Sequence, residues 1–358
     1  MSGHGRTDAQ THSTAGASSV RLRGRAAVPA WQVLDRRTRG TRFVALPFRS
    51  VLNSPQQTGM DFWSVNPYVG CEFGCSYCYA RFAHQYVTER AQAGGAPVDG
   101  VDAAPWSADD FERRIFVKAG AADVLALTLR RVRAGGHAIA IGTATDPYQP
   151  AERRFRITRG LLERLAQVHG LHVGLVTKSP LVARDVDVLC ALAERSDVTI
   201  HLSLITVDAP LLRRIEVRSP APHARLRALE LLARAGLNAG VMIAPVLPGI
   251  TDDVPHLAAL LRAAQDAGAA FAGTALLRMY GGVRRQFLPV VAEHFPALLP
   301  RYERAFGSGG VLSPVYVAAL KRRVTLLRRA IGIPAAPTAR PDLPPLMPRE
   351  VQGELVLQ

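Results

Sequence analysis

The sequence predicts an α/β fold organised around a parallel sheet, and three features predict it. Short apolar runs alternate with amphipathic stretches through the middle of the chain, the runs are apolar on both faces, and 48% of the 358 residues are hydrophobic, enough for one large core. In chain order, "RIFVKA" (114–119), "AIAIGTAT" (138–145), "HVGLVTKS" (172–179), "VTIHLSLIT" (198–206), "NAGVMIAPVLPG" (238–249) and "FAGTALLR" (271–278) read as strands. Between them "AADVLALTLRRVRA", "TRGLLERLAQVH", "LVARDVDVLCALAER", "HARLRALELLARAG" and "DDVPHLAALLRAAQDAG" carry helical periodicity. Such alternation implies βαβ crossovers. Strands apolar on both faces expect helices on one side and a barrel interior or second helix layer on the other. About six units follow the cysteine-rich stretch, fewer than a complete eight-fold barrel requires.

The ends differ in composition. Residues 1–40 read as a basic, disordered arm, 41–280 as the α/β body, 281–334 as a helical extension, and 335–358 as a proline-rich tail that sustains neither helix nor sheet. The formal charge is +15, and residues 1–50 place nine arginines against Asp8 and Asp35. That arm suits phosphate groups of nucleic acid or an anionic cofactor, and equally suits a tail that keeps the protein soluble. No run of about 18 apolar residues is present and the N-terminus has no apolar secretory core, so no membrane association and a cytoplasmic location are expected.

Three of the four cysteines fall within "NPYVGCEFGCSYCYAR", residues 66–81. Cysteines this close in a reducing compartment bind metal or do redox chemistry more often than they form disulfides. The spacing Cys71-x3-Cys75-x2-Cys78 is one thiolate short of a closed tetrahedral site. Zinc structural sites take four ligands, whereas an iron–sulfur cluster held by three cysteines keeps one iron open. A zinc site would need His84, but the sequence has no second Cys-x2-Cys to make a paired knuckle. The cysteine loop follows a first strand, "FWSVNPYVG". "GTATDPYQP", "TKS", "HLSLIT" and "APVLPG" end the next four main strands. Because chemistry in such folds sits beyond the carboxyl ends of the strands, Thr145, Asp146, Lys178, Ser203 and the Ala244 backbone are expected to share one mouth with the cysteines.

"CEFGCSYC", with Tyr77 as the aromatic before the third cysteine, resembles the signature of the radical S-adenosylmethionine (SAM) superfamily. With "IFVK", "GTATDPYQPAERRFRITRGLLE", "VTKS", "HLSLIT" and "APVLPGITD", the stretch over about residues 60–280 is similar to the spore photoproduct lyase-like branch. The resemblance implies a partial (β/α)6 TIM-type barrel between disordered N- and C-terminal tails. It implies a [4Fe-4S] cluster on Cys71, Cys75 and Cys78, its fourth iron left for S-adenosylmethionine. Tyr77 would then lie next to the adenine, with Thr145, Lys178, Ser203 and Ala244 also contacting that cofactor. The implied activity is reductive cleavage of S-adenosylmethionine to a 5'-deoxyadenosyl radical that abstracts hydrogen from a substrate, nucleic acid or a nucleotide by analogy. An external one-electron reductant of the flavodoxin or ferredoxin type is implied as partner. The alternative is an iron–sulfur electron-transfer or metal-binding protein that leaves the cofactor whole.

Each site residue also has a plainer reading. Thr145 and Asp146 suit an Asx/Pro turn, Ser203 and His201 a satisfied core position, Cys190 inert packing on an apolar helix face, and Glu216 and Arg218 solvated loop charges. One position departs from the lyase pattern: Thr143 stands where the lyase has the cysteine that returns a hydrogen atom. A threonine O–H bond is too strong for that task. Tyr79 and Tyr148 are the substitutes weighed, Tyr148 also suiting packing against its turn, and no catalytic residue is assigned.

Overall fold

A computed structural model describes residues 31–38, 40–84, 87, 89, 110–135 and 138–338. Most of the basic arm (1–30) and of the proline-rich tail (339–358) lies outside the described residues. Strands β1 (Val33–Arg36), β2 (Arg42–Ala45), β3 (Leu52–Asn53), β4 (Trp63–Val65), β5 (Tyr68–Val69), β6 (Arg114–Val117), β7 (Ile139–Ile141), β8 (His172–Thr177), β9 (Asp197–Ser203), β10 (Asn238–Val246) and β11 (Ala272–Leu276) form two sheets. The larger runs β11-β10-β9-β8-β7-β4-β3; its strands from β4 to β11 are parallel and lie side by side in chain order, and β3 closes the β4 edge antiparallel. The smaller runs β1-β2-β6-β5.

Sequential parallel neighbours need crossovers, and helices Ile157–Leu165, Val186–Ala193, Pro222–Arg234 and Val254–Asp266 supply them from β7 onward. Their starts are written in the sequence. Asp253 precedes a proline-containing first turn and accepts from the His256 amide at 2.9 Å; Asp208 does the same for Leu211 at 2.9 Å ahead of helix Ala209–Ile215. Helices Gly281–His294, Leu299–Phe306 and Pro314–Ile331 follow the sheet.

Three expectations change here. "RIFVKA" forms β6, in the small sheet, because it pairs with β2 and β5 and not with a main strand. Residues 33–36, assigned to the disordered arm, are a strand paired with β2. The central strands are not apolar on both faces. Val198, Ile200 and Leu202 of β9 lie in the core under the helices, while Thr199, His201 and Ser203 occupy the other face. There β10 contributes Gly240, where a Cβ would come within 2.4 Å of the Phe271 carbonyl oxygen; the bare position admits the Phe271 ring, 5.0 Å from His201.

His84 is a core residue. It is fully buried, its Nε2 lies 2.9 Å from the Arg114 carbonyl, and its ring meets those of Phe111 and Phe116. Zinc ligation by His84 therefore has no support. Among the described residues no helix is long and apolar enough to cross a membrane.

Burial pushes both His84 and His201 down to about 4. Between that value and the ordinary 6.5 the unfolded chain binds more protons than the folded one, so stability falls as pH falls through this window, by up to roughly 3 kcal/mol per histidine. The melting temperature of the metal-free protein should drop steadily from pH 7 to pH 5, and His84→Phe should flatten that slope. A flat wild-type profile would contradict the burial argument.

Candidate cysteine-loop site

The cysteine loop leaves β5 and is held from three directions. Gly70 turns at φ +90°, a left-handed conformation suited to glycine, and a Cβ there would meet the Arg114 and Phe111 carbonyls at 2.8 and 2.9 Å. The Cys71 amide donates to the Phe111 carbonyl at 2.9 Å. On the far side Cys75 bridges to Glu216 in antiparallel fashion, Ser76 donates through both its amide (3.1 Å) and its hydroxyl (3.0 Å) to the Ile215 carbonyl, and the Arg218 amide donates to Phe73 at 3.1 Å. Phe73 and Tyr77 then pack into a cluster with Val283, Phe287, Tyr302 and Phe306, so the helices after the sheet cover the loop.

All three thiols are raised, burial being the largest cause for each; the Asp146 carboxylate adds to the rise at Cys71 and the Glu216 carboxylate at Cys75. A bare site therefore holds neutral thiols. A cationic metal centre deprotonates them, and the environment fits one: dry, sulfur-rich, and with Lys178 near Cys75 and Arg81 and Lys178 near Cys78. Among the described residues no three His, Cys, Asp or Glu side chains are grouped to hold a single metal ion.

The expected cofactor residues divide. Tyr77, Lys178 and Ser203 come together: Lys178 Nζ lies 3.0 Å from Ser203 Oγ and 5.6 Å from the centre of the Tyr77 ring. Ala244 lies toward the same end of the sheet on β10, two residues past Met242, which pairs with Ser203. Thr145 instead serves the loop, donating to the Gly70 carbonyl at 2.7 Å. Asp146 joins the ends of β7 and β8, accepting from Thr177 Oγ1 and the Lys178 amide at 2.7 Å each.

Glu216, read in the sequence as a solvated loop charge, has no exposure. It accepts from Tyr77 OH, pairs with Arg225 at 2.5 Å and lies 3.9 Å from Lys178. Burial alone would raise its carboxyl; the Arg225 and Lys178 charges outweigh that and hold it down at about 2. Burial would lower Lys178, and the Glu216 carboxylate, its strongest charge partner, holds it above its ordinary value. Arg225 escaped the sequence reading although a signal was present. It shares the buried stripe of Pro222–Arg234 with Ala228, Leu229 and Leu232, and a charged residue on an apolar helix face demands a buried partner.

The remaining candidates settle as follows. Thr143 accepts from Asn66 Nδ2 at 3.1 Å, and Tyr79 OH donates to the Thr143 carbonyl from a side chain 56% exposed. Tyr148 is buried in the main core, and Cys190 packs half-buried on its helix. His201 sits on the Ser203 face with its Nδ1 unpartnered among the described residues.

Residues 65–261 match the family model described as the Radical SAM superfamily. A Mycobacterium tuberculosis protein, Rv2578c, is 34% identical over 301 residues, covering 82% of this chain and 84% of its own. MJ0683 of Methanocaldococcus jannaschii is 26% identical over 188 residues, 52% of this chain and 61% of its own. Spore photoproduct lyase complexed with dinucleoside spore photoproduct has a similar fold, with TM-score 0.57 and 15% identity over 81% of this chain and 79% of the lyase.

Removing one member of the buried pair strands the other. Arg225→Met should cost about 3–5 kcal/mol in urea unfolding of the metal-free protein, with part of the loss recovered by adding Glu216→Gln. An unchanged urea midpoint would show that water already reaches the pair.

Proposed function

The chain belongs to the radical SAM superfamily, and on that premise we propose that Cys71, Cys75 and Cys78 hold a [4Fe-4S] cluster with one iron open to S-adenosylmethionine. The observation that carries this reading is three thiols on one eight-residue stretch, Cys71 and Cys75 buried and Cys78 half-buried, closed in by the C-terminal helices and faced by Lys178. Bound together, cluster and cofactor supply a 5'-deoxyadenosyl radical that takes a hydrogen atom from the substrate. The protein's part is to bind, orient and exclude water.

Lys178 is held charged beside Ser203 and Tyr77, which suits it to a carboxylate or ribose oxygen of the cofactor. Thr145 gives its proton to Gly70 and accepts one from Gln149 Nε2 at 3.0 Å, so it meets the cofactor only as an acceptor. Tyr77, its ring beneath the Lys178 ammonium, and the Ala244 backbone complete the proposed set. The six parallel strands in chain order support reading the large sheet as a partial (β/α)6 barrel, with residues 41–280 as the body and 281–334 as its cover. Cys190 is the only cysteine outside the loop, so the chain has no thiolates for a second cluster, and the electron comes from an external flavodoxin- or ferredoxin-type donor in the cytoplasm.

The substrate is proposed as a nucleotide or nucleic acid, supported by the basic arm and by the dinucleoside bound to the lyase of similar fold. With threonine at 143, a lesion repaired by hydrogen return from that position does not fit, and the Tyr79 hydroxyl donates to the Thr143 carbonyl.

Anaerobic, reconstituted protein with dithionite and S-adenosylmethionine should release 5'-deoxyadenosine, and Cys75→Ala should abolish release. An intact cluster with no release would favour electron transfer alone. Deleting residues 1–30, which spares the strand at 33–36, should weaken binding to a DNA or RNA oligonucleotide and flatten its salt dependence; unchanged binding would remove the arm from the proposal.

A further inference from the structure

The fully buried side chain of Gln149 touches the peptide groups on both sides of Cys71. Its Nε2 donates at 3.0 Å to the Gly70 carbonyl and at 3.0 Å to Thr145 Oγ1, and its Oε1 accepts from the Glu72 amide at 3.0 Å. This amide orientation is set by the network, since the flipped form would face Gly70 oxygen with oxygen and the Glu72 N–H with N–H. Glu72 returns the connection: its Oε2 accepts from the Ala151 amide at 2.8 Å, and its Oε1 pairs with Arg37 at 2.5 Å. The turn after β7 and the cysteine loop are therefore joined through polar contacts centred on one residue that carries no metal ligand.

We infer that Gln149 is a positioning residue for the cluster, clamping Gly70 and Glu72 so that Cys71 Sγ is presented to iron in one orientation. This rests on the cluster reading above. Without the clamp, two backbone groups beside Cys71 lose a buried partner and the loop gains freedom that ligation must then remove. Groups that orient metal ligands are worth about 10- to 100-fold in metal affinity. At Cys75 the loop is tied by backbone and hydroxyl contacts to Ile215 and Glu216 and by a long contact, 3.5 Å, from Arg81 to the Cys75 carbonyl.

Two variants test it, with two readouts. Gln149→Met removes both ends of the clamp, whereas Gln149→Glu keeps the acceptor for the Glu72 amide and loses at least one of the two donors. In metal-free protein the Glu72 amide should exchange with deuterium about tenfold faster in Gln149→Met and at the wild-type rate in Gln149→Glu. In reconstituted protein, loss of iron to a chelator should be about 10- to 100-fold faster in Gln149→Met and intermediate in Gln149→Glu, with an altered electron paramagnetic resonance signal in both. Wild-type exchange and wild-type iron retention in Gln149→Met would overturn the inference. If wild-type protein took up no cluster, the family chemistry would fall, and the exchange rates would still decide whether Gln149 holds the loop.

Discussion

A carboxylate buried without exposure, Glu216, holds the site in its shape. Such a group is tolerated only when its charge is met, and here Arg225 meets one oxygen while Tyr77 OH and Lys178 meet the other. Each of those partners comes from a different segment: the cysteine loop, the end of β8, and the helix before β10. The Glu216 backbone also bridges to Cys75. One residue therefore ties the sulfur-bearing loop to the sheet and keeps the Lys178 ammonium charged in a dry place. Arg225 adds a second tie by donating to the Ser203 carbonyl at 2.7 Å.

The opposite end of the loop is held by a different kind of chemistry. Around Cys71 the contacts are neutral amides and a hydroxyl, from Thr145 and Gln149, closed by the Glu72–Arg37 pair. The small sheet contributes here, because β5 and β6 carry the loop out and the Phe111 and Arg114 carbonyls crowd Gly70. A loop whose side chains donate sulfur cannot stabilise itself by apolar packing alone. Its backbone is satisfied from three neighbouring elements, and the helices after the sheet bury Phe73 and Tyr77 over the top. Arg37, part of the chain that looks in the sequence like a free basic arm, is in fact engaged with this loop.

Local signals made much of this legible. The Cys71-x3-Cys75-x2-Cys78 spacing places three thiols within eight residues in any fold, which is why the proposed ligand set could be read before the fold was known. Asp-x-Pro starts, as at Asp253, mark helix N-termini because the cap and the fixed proline φ act within one turn. The run of parallel strands followed from alternation alone, apart from "RIFVKA", whose apolar pattern serves either sheet equally well, and "FWSVNPYVG", read as one strand but divided between β4 of the large sheet and β5 of the small one.

Pairings across the chain were not legible, for a physical reason. Whether Glu216 is solvated or buried depends on Arg225 lying beside it, and whether Thr145 bonds Gly70 depends on where the loop from β5 lands. These choices are made by contacts between segments far apart in sequence, whose energies appear only when the segments meet. By itself the sequence determined the clustering of the three cysteines, the α/β alternation and the helix starts, because each is written within a few neighbouring residues. Only the tertiary structure decided which charges are buried together, which sheet each strand joins and which side chains hold the cysteines in place.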